Sequence, residues 1–223
     1  MTINDIYNTM LFAVAKNKQQ GYLSPSDFGV SFNIAQKAYA AYLLGNFQQY
    51  QPGRPVATVQ WGGNQTVRQK LTPIIYVVNL NIDSTGFSAY PGDYMQEDAM
   101  WSQYGYQRIR YASQEQHWFF YQSIINPYPA NPYHLIEDQG FRFFPQNYTA
   151  AKLSYVRQPP DVVWGYTLDG NGRPVYSAAA STQCLFDDDS ILEIITRALR
   201  IVGVNLQFGQ VVQYANEVKL QGQ

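Results

Sequence analysis

The amino-acid sequence predicts an α+β fold, in which N- and C-terminal helices form a small helical bundle with a long antiparallel, β-sandwich-like insertion between them. Apolar residues recur with helical periodicity near both ends of the chain, and this period is lost over residues 46–186. The predicted domains are an N-terminal helical hairpin (1–45), a β domain (46–186), and C-terminal helices (187–223) that pack on the N-terminal pair.

The N-terminal hairpin is predicted from an apolar face and two helix starts. The first helix has the apolar set Ile3, Ile6, Tyr7, Met10, Leu11 and Val14. Thr2 and Asp5 before this set have the spacing of a capping box. The second helix begins at Ser24, an N-cap residue followed by Pro25 at the first helical position, and ends at Gly45.

Runs of β-branched and aromatic residues predict the strands of the middle domain. These are residues 74–80, 107–111, 118–124, 140–144, 152–157, 163–168 and 173–177. The sequence Asp-Gly-Asn-Gly at 169–172 predicts a tight turn, because Gly and Asn accept positive φ. Residues 141–165 are interpreted as a hairpin of two strands, closed by Pro159 and Pro160.

Helical periodicity returns in the C-terminal region. Asp187, Asp188 and Asp189 lie where a helix N-terminus favours acids, and an apolar face follows as far as Gly203, which is expected to end the helix. A last short helix is predicted over 207–217. Because three carboxylates are also hard oxygen ligands, a divalent-metal site at 187–190 is the alternative to helix capping.

Composition limits the classes of function. The formal net charge of -1 argues against a basic surface for tight nucleic-acid binding, but it would suit a surface past which DNA slides. One cysteine, Cys184, excludes an internal disulfide and a Cys-based zinc cluster. Aromatic residues make up 16% of the chain and charged residues 14%, a balance typical either of protein contact surface or of a β-rich core.

Two histidines are the candidates for acid–base chemistry. His117 with Glu115, or His134 with Glu137 and Asp138, could supply a base and its orienting acid. Neither group lies beside a recognisable nucleophile motif, so polar histidines without a catalytic role are favoured. The sequence therefore predicts no catalytic residue, no cofactor and no metal.

A glycine-rich segment and a set of aromatic residues could each form a binding site, but each also has an ordinary structural explanation. The sequence Trp-Gly-Gly-Asn-Gln at 61–65 lacks the residues of a phosphate loop and is interpreted as a flexible turn. Aromatic residues could form a stacking platform for sugars or bases, although aromatics in strands are usually core: Trp61, Trp101, Trp118, Tyr155, Trp164 and Tyr166. The N-terminus shows neither a signal peptide nor a membrane span, so we expect synthesis in the cytoplasm and no membrane partner.

Three short motifs lie along the chain. The middle motif is Asn-Pro-Tyr, then Phe-Pro, then Leu-x-Tyr-x-Arg-x-Pro, here Asn131, Pro132, Tyr133, Phe144, Pro145, Leu153, Tyr155, Arg157 and Pro159. The N-terminal motif is the Gly-Tyr-x-Ser-Pro-x-x-Phe junction at 21–28 with Ala35 and Gln36, and the third is the closing helix. In order and length these motifs resemble those of virion neck proteins of tailed phages, especially crAss-like and related phages of Bacteroidetes. Residues 48–72 match nothing in this pattern.

The resemblance implies a ring or adaptor subunit of the head-to-tail connector, usually in twelve copies around the DNA channel below the portal. The implied partners are further copies of the chain, the portal protein, adjacent neck or tail rings, and DNA passing without sequence-specific binding; the implied location is the virion neck. A glycan-binding module on a virion surface is the alternative, and an enzyme of another family is third.

Six residues are candidates for the contacts of such a ring. Pro159 and Pro160 stop the strand that carries Tyr155, so Arg157 and Trp164 are expected at a defined edge. Trp and Arg contribute strongly to interface energy, and ordinary packing is the alternative role of both residues. Val211, Val212 and Tyr214 are expected to dock the C-terminal segment on its own domain or on a partner.

Overall fold

A computed structural model describes residues 1–15, 23–45, 65–103, 107–122 and 131–205 of the chain. The helices are α1 (Ile3–Ala15), α2 (Pro25–Leu43), α3 (Gln65–Leu71), α4 (Gln114–Gln122) and α5 (Asp188–Asn205). The strands are β1 (Ile75–Asn81), β2 (Phe87–Ala89), β3 (Tyr94–Ser102), β4 (Arg110–Tyr111), β5 (Tyr133–Ile136), β6 (Gly140–Phe144), β7 (Ala150–Arg157), β8 (Tyr166–Leu168) and β9 (Pro174–Tyr176). The α+β prediction, with terminal helices and a β-rich middle, is confirmed.

The described residues form two compact units. The first comprises those of Met1–Pro73 and Pro159–Gln223, and the second those of Ile74–Gln158. These boundaries differ from the predicted ones at 46 and 186.

Polar groups of α2 explain why the chain after Pro159 belongs to the first unit. The side-chain amide of Asn33 donates to the carbonyl of Val162 at 3.1 Å, and its oxygen accepts the N–H of Val162 at 2.8 Å. The amide of Gln36 donates to the carbonyl of Pro160 at 2.9 Å. Buried side-chain amides need such partners, so the helix and this extended segment are held together by hydrogen bonds that periodicity does not reveal.

The first unit has a helical core built by α1, α2 and α5. Its fully buried side chains include Ile3, Ile6, Met10, Phe28, Phe32, Tyr39, Ile194 and Ala198. The Tyr39 hydroxyl donates to Ser190 Oγ at 3.0 Å, which satisfies a polar group inside this core. Helix α5 therefore packs on the N-terminal pair, α1 and α2.

The predicted helix starts are confirmed by their hydrogen bonds. The N–H of Asp27 donates to Ser24 Oγ at 3.1 Å with Pro25 following the cap, and the N–H of Thr2 donates to Asp5 Oδ2 at 3.0 Å. Gly45, at φ 74°, adopts the left-handed conformation that ends α2. The prediction that Gly203 ends the closing helix was wrong, because α5 continues to Asn205.

The second unit contains two sheets, and a third, two-stranded sheet lies in the first unit. The order β1-β7-β3 is antiparallel throughout, and the order β2-β6-β5-β4 is antiparallel except for the short parallel pair β4–β5. Side chains of both larger sheets share one core: Leu80, Met100, Ile109, Phe141, Phe143, Leu153 and Tyr155. The antiparallel β-rich region is thus confirmed, and the sandwich geometry stays a prediction. The third sheet is the hairpin β8–β9, in which Gly172 at φ 74° occupies the predicted tight turn.

Two strand predictions were wrong. The segments of the expected 141–165 hairpin are strands β6 and β7, but they belong to different sheets, since β6 pairs with β2 and β5 and β7 with β1 and β3. The expected strand at 118–124 overlaps helix α4 instead. That helix starts with a reciprocal capping box, in which the N–H of Gln116 donates to Ser113 Oγ at 3.2 Å and the N–H of Ser113 to Gln116 Oε1 at 3.0 Å.

None of the helices in the described ranges is long and apolar enough to span a lipid bilayer.

Candidate interaction surfaces

Tyr155 lies in the core of the second unit. Its side chain is buried, and its hydroxyl donates to Asp93 Oδ1 at 2.7 Å. Burial, together with the hydrogen bond to Asp93, raises the pKa of Tyr155 to about 12. This position favours packing, the alternative interpretation of this residue.

Trp164 is also buried, within the first unit. Its ring stacks on Tyr7 at a centroid distance of 4.4 Å and lies 5.8 Å from the Tyr166 ring. The indole N–H donates to Asn4 Oδ1 at 3.2 Å. An indole with both a stacking partner and a hydrogen-bond acceptor has its ordinary core requirements met. Packing on α1 is therefore the role that the geometry of Trp164 supports.

Arg157 lies at the end of the central strand β7, in a partly exposed position. Its guanidinium carbon is 5.5 Å from the centre of the Tyr76 ring on β1. Among the described residues its guanidinium forms no ion pair with a carboxylate, and its Nε atom is buried without a hydrogen bond. Of the three candidates in described segments, Arg157 is the one whose side chain is not buried.

The other three candidates, Val211, Val212 and Tyr214, lie outside the described residues, as do the predicted helix over 207–217 and Trp61.

The buried histidine of the second unit has a partner that the sequence did not indicate. His134 is fully buried, with Nε2 2.8 Å from Glu97 Oε2 and its Nδ1 without a hydrogen bond. Glu137, weighed as its acid, instead accepts a hydrogen bond from Arg142 Nη2 at 3.0 Å. Because Glu97 is on β3 and His134 on β5, the pair ties the two sheets of this unit together. A structural polar pair accounts for the geometry.

His117 and the acidic run also have local structural roles. Nδ1 of His117 lies 3.0 Å from the Tyr133 hydroxyl, and its ring is 4.6 Å from that of Phe144. Asp187 Oδ1 accepts the N–H of Ser190 at 3.1 Å, so Asp187 is the N-cap of α5, as the capping alternative predicted. Within the described segments, no cluster of three or more His, Cys, Asp or Glu has metal-site geometry.

Large apolar side chains are exposed on both units. On the second unit, Trp118 and Phe119 are adjacent on α4 and 62% and 67% exposed, and Tyr76 and Val77 on β1 are more than half exposed. On the first unit, Leu168 and its neighbours on the β8–β9 hairpin are exposed on both strands. Tyr76 and Val77 were not among the surface candidates predicted from the sequence. The signal was the run Ile-Tyr-Val-Val-Asn-Leu-Asn, a strand with no charged residue.

The comparison of the chain with protein-family models and with curated proteins finds no match.

Proposed function

We propose that this protein is a structural virion protein of a tailed phage, a ring or adaptor subunit of the head-to-tail connector below the portal. Its partners in this proposal are further copies of itself, on the order of twelve in the resembled family, the portal protein, and adjacent neck or tail rings. DNA passes through the channel without sequence-specific binding. The proposal makes the protein non-enzymatic.

The motifs that carry the resemblance coincide with junctions of the fold, which supports the proposal. Ser24 caps α2, Tyr133 begins β5, and Phe144 ends β6. Leu153 is fully buried in the core of the second unit. Motif residues that fix helix starts and strand ends are those expected to persist in a shared architecture.

The structural observation that best supports a subunit of an assembly is the exposed apolar surface. A chain with 14% charged residues leaves Trp118, Phe119, Val77 and Leu168 largely exposed. Apolar patches on soluble proteins mark interaction sites, and aromatic residues are enriched in the centres of interfaces. Assembly of many copies would cover such surface.

Electron microscopy of the purified full-length protein, and of virions labelled with an antibody against it, tests the proposal. We expect ring-shaped particles and label at the junction of head and tail. Label confined to the capsid surface or tail tip would contradict the proposal, as would a hydrolase or transferase activity abolished by His134→Asn.

The exposure of Trp118 favours one second candidate, the glycan-binding module. An exposed indole can stack on the apolar face of a sugar, and its fluorescence reports the event. A saturable fluorescence change with cell-surface glycans that Trp118→Ala removes would support this module. A flat titration in the intact protein would dismiss it.

A further inference from the structure

The two edges of the sheet β1-β7-β3 differ in how they are protected. Strand β3 is interrupted by register shifts at Tyr94/Gln96 and Glu97/Ala99, and it carries Glu97 and Asp98. Bulges and charges are the usual devices that stop an edge strand from pairing with another chain. The β3 edge is therefore a poor template for a further strand.

Strand β1, at the opposite edge, has none of these devices. Its seven residues, Ile75–Asn81, contain no charge and no proline, and they pair with β7 in unbroken register. In the described part of the chain β1 pairs with β7 alone, and Val77 is 53% exposed. A regular, uncharged edge offers a row of backbone donors and acceptors to an incoming strand.

The same chain carries a second open edge of matching chemistry, strand β8. Its residues Tyr166, Thr167 and Leu168 are all exposed, uncharged, and paired within the described segments only to β9. Strand β9 begins with Pro174, which cannot donate a ladder hydrogen bond, so β8 is the better edge of this hairpin. A two-stranded hairpin is marginal by itself and gains stability from a third strand.

Charge fixes the direction of such a contact. Arg157 lies over Tyr76, near the start of β1, and Asp83 follows the end of β1. Asp169 follows β8, and its carboxylate oxygen Oδ1 accepts hydrogen bonds from the backbone N–H groups of Asn171 and Arg173. An antiparallel β8 brings Asp169 to Arg157, whereas a parallel one brings it toward the like charge of Asp83.

We propose that β8 of one copy of this chain adds to the β1 edge of a second copy as an antiparallel strand, with Asp169 beside Arg157. The register that sets Asp169 opposite Tyr76 sets Leu168 opposite Val77. Because the two surfaces differ, the contact is heterologous, and each bound copy keeps one free edge for the next. The inference deepens the homo-oligomer of the proposed function and rests on self-association alone, not on a place in a virion.

Cross-linking of the full-length chain tests the register directly. Val77→Cys and Leu168→Cys are placed in separately tagged copies, both with Cys184→Ser, and the mixture is mildly oxidised. Directly paired residues bring Cα atoms within disulfide range, so we expect a 77–168 disulfide between copies, identified by mass spectrometry. The matched control replaces Val77→Cys by Val30→Cys, which is 61% exposed on α2 and should give little product. Disulfides that join Val77→Cys only to itself would overturn the proposal in favour of a symmetric β1 pair.

Association measurements supply the second readout. A strand of three residues gives a small contact, so we expect concentration-dependent association in roughly the micromolar range by analytical ultracentrifugation. Val77→Lys should abolish it, whereas Val30→Lys should not. Asp169→Asn keeps an acceptor for the turn and should weaken association about two- to fivefold, with less dependence on salt.

A monomer at all concentrations, or association unchanged by Val77→Lys with an unaltered melting temperature, would overturn the contact. Its failure is distinguishable from that of the proposed function. If virions carrying Val77→Lys still contain a neck ring of this protein, only the β1–β8 contact is contradicted. If the protein forms an oligomer through residues 77 and 168 but is missing from the neck, only the proposed role in the virion is contradicted.

Discussion

The contribution of the Tyr155 hydroxyl to the stability of the fold can be measured separately from that of its ring. The hydroxyl donates to Asp93 at 2.7 Å, and burial with this hydrogen bond raises its pKa to about 12 from an unfolded value near 10. A raised pKa means that the folded state favours the neutral phenol. The stabilisation is therefore complete below pH 10 and is lost as the pH rises toward 12.

We expect Tyr155→Phe to lower the free energy of unfolding at pH 8 by about 1.5–3 kcal/mol, because Asp93 loses a donor. The difference between the native protein and the variant should shrink between pH 10 and 12. Urea unfolding at several pH values measures both effects. Tyr111→Phe, a change at an exposed tyrosine, is the control and should change little at either pH. A difference that stays constant up to pH 12 would contradict the assignment.

Trp164 and Trp118 form a matched pair of buried and exposed indoles. Trp164→Ala removes a ring that stacks on Tyr7, and it leaves Asn4 without its hydrogen-bond donor. We therefore expect the free energy of unfolding, measured by thermal denaturation, to fall by about 3–5 kcal/mol. Trp118→Ala removes a side chain that is mostly exposed and should stay within about 0.5 kcal/mol. Equal, small effects in both variants would return Trp164 to the interface candidates.

At the scale of elements, helix α4 shows a local signal that outweighed side-chain propensity. Its run Trp-Phe-Phe-Tyr resembles a strand, and Trp118 and Phe119 are exposed, so no clean apolar face marks a helix. The deciding residues are Ser113 and Gln116, whose spacing is that of a capping box. This signal was present in the sequence and could have corrected the prediction.

We expect Ser113→Ala to destabilise the second unit by about 1 kcal/mol, since the N–H of Gln116 loses its acceptor. The chain offers a control in Ser177, which precedes the short 3-10 turn at Ala178–Ala180 without a side-chain capping bond. Ser177→Ala should therefore be nearly neutral. Chemical denaturation followed by circular dichroism compares the two; equal losses would mean that the Ser113 cap does not stabilise α4.

The sequence predicted where strands lie better than it predicted which strands pair. Runs of β-branched and aromatic residues located β1, β6 and β7, because such side chains favour strands. These runs do not identify the partner strand: β7 lies between β1 and β3, far away in sequence, although β6 is adjacent in the chain. Polar ties such as His134 with Glu97 were missed for the same reason, because they join residues of different strands.

At the scale of the whole molecule, the sequence proposed three interface candidates that lie in described segments. The structure leaves one of them, Arg157, partly exposed and places the other two, Tyr155 and Trp164, in cores. Residue type explains this outcome. Trp and Tyr serve cores and interfaces alike, so composition cannot separate the two roles, whereas an Arg without a carboxylate is informative only once its surroundings are known.

The last prediction concerns the C-terminal segment after α5. The buried face of α5, with Ile194 and Ala198, already packs in the helical core, and the helix ends at Asn205. The following sequence has its own apolar set, including Val211, Val212 and Tyr214, and terminal segments are suited to ordering on a partner. We therefore expect that removal of residues 209–223 leaves a folded protein with a melting midpoint near that of the intact chain, and that this protein no longer enters the neck. If these side chains belong to the core instead, each would contribute about 1.5–3 kcal/mol on burial, and the truncated protein would be insoluble or melt tens of degrees lower. Calorimetry of the truncated chain, with incorporation into virions scored in parallel, separates the two outcomes.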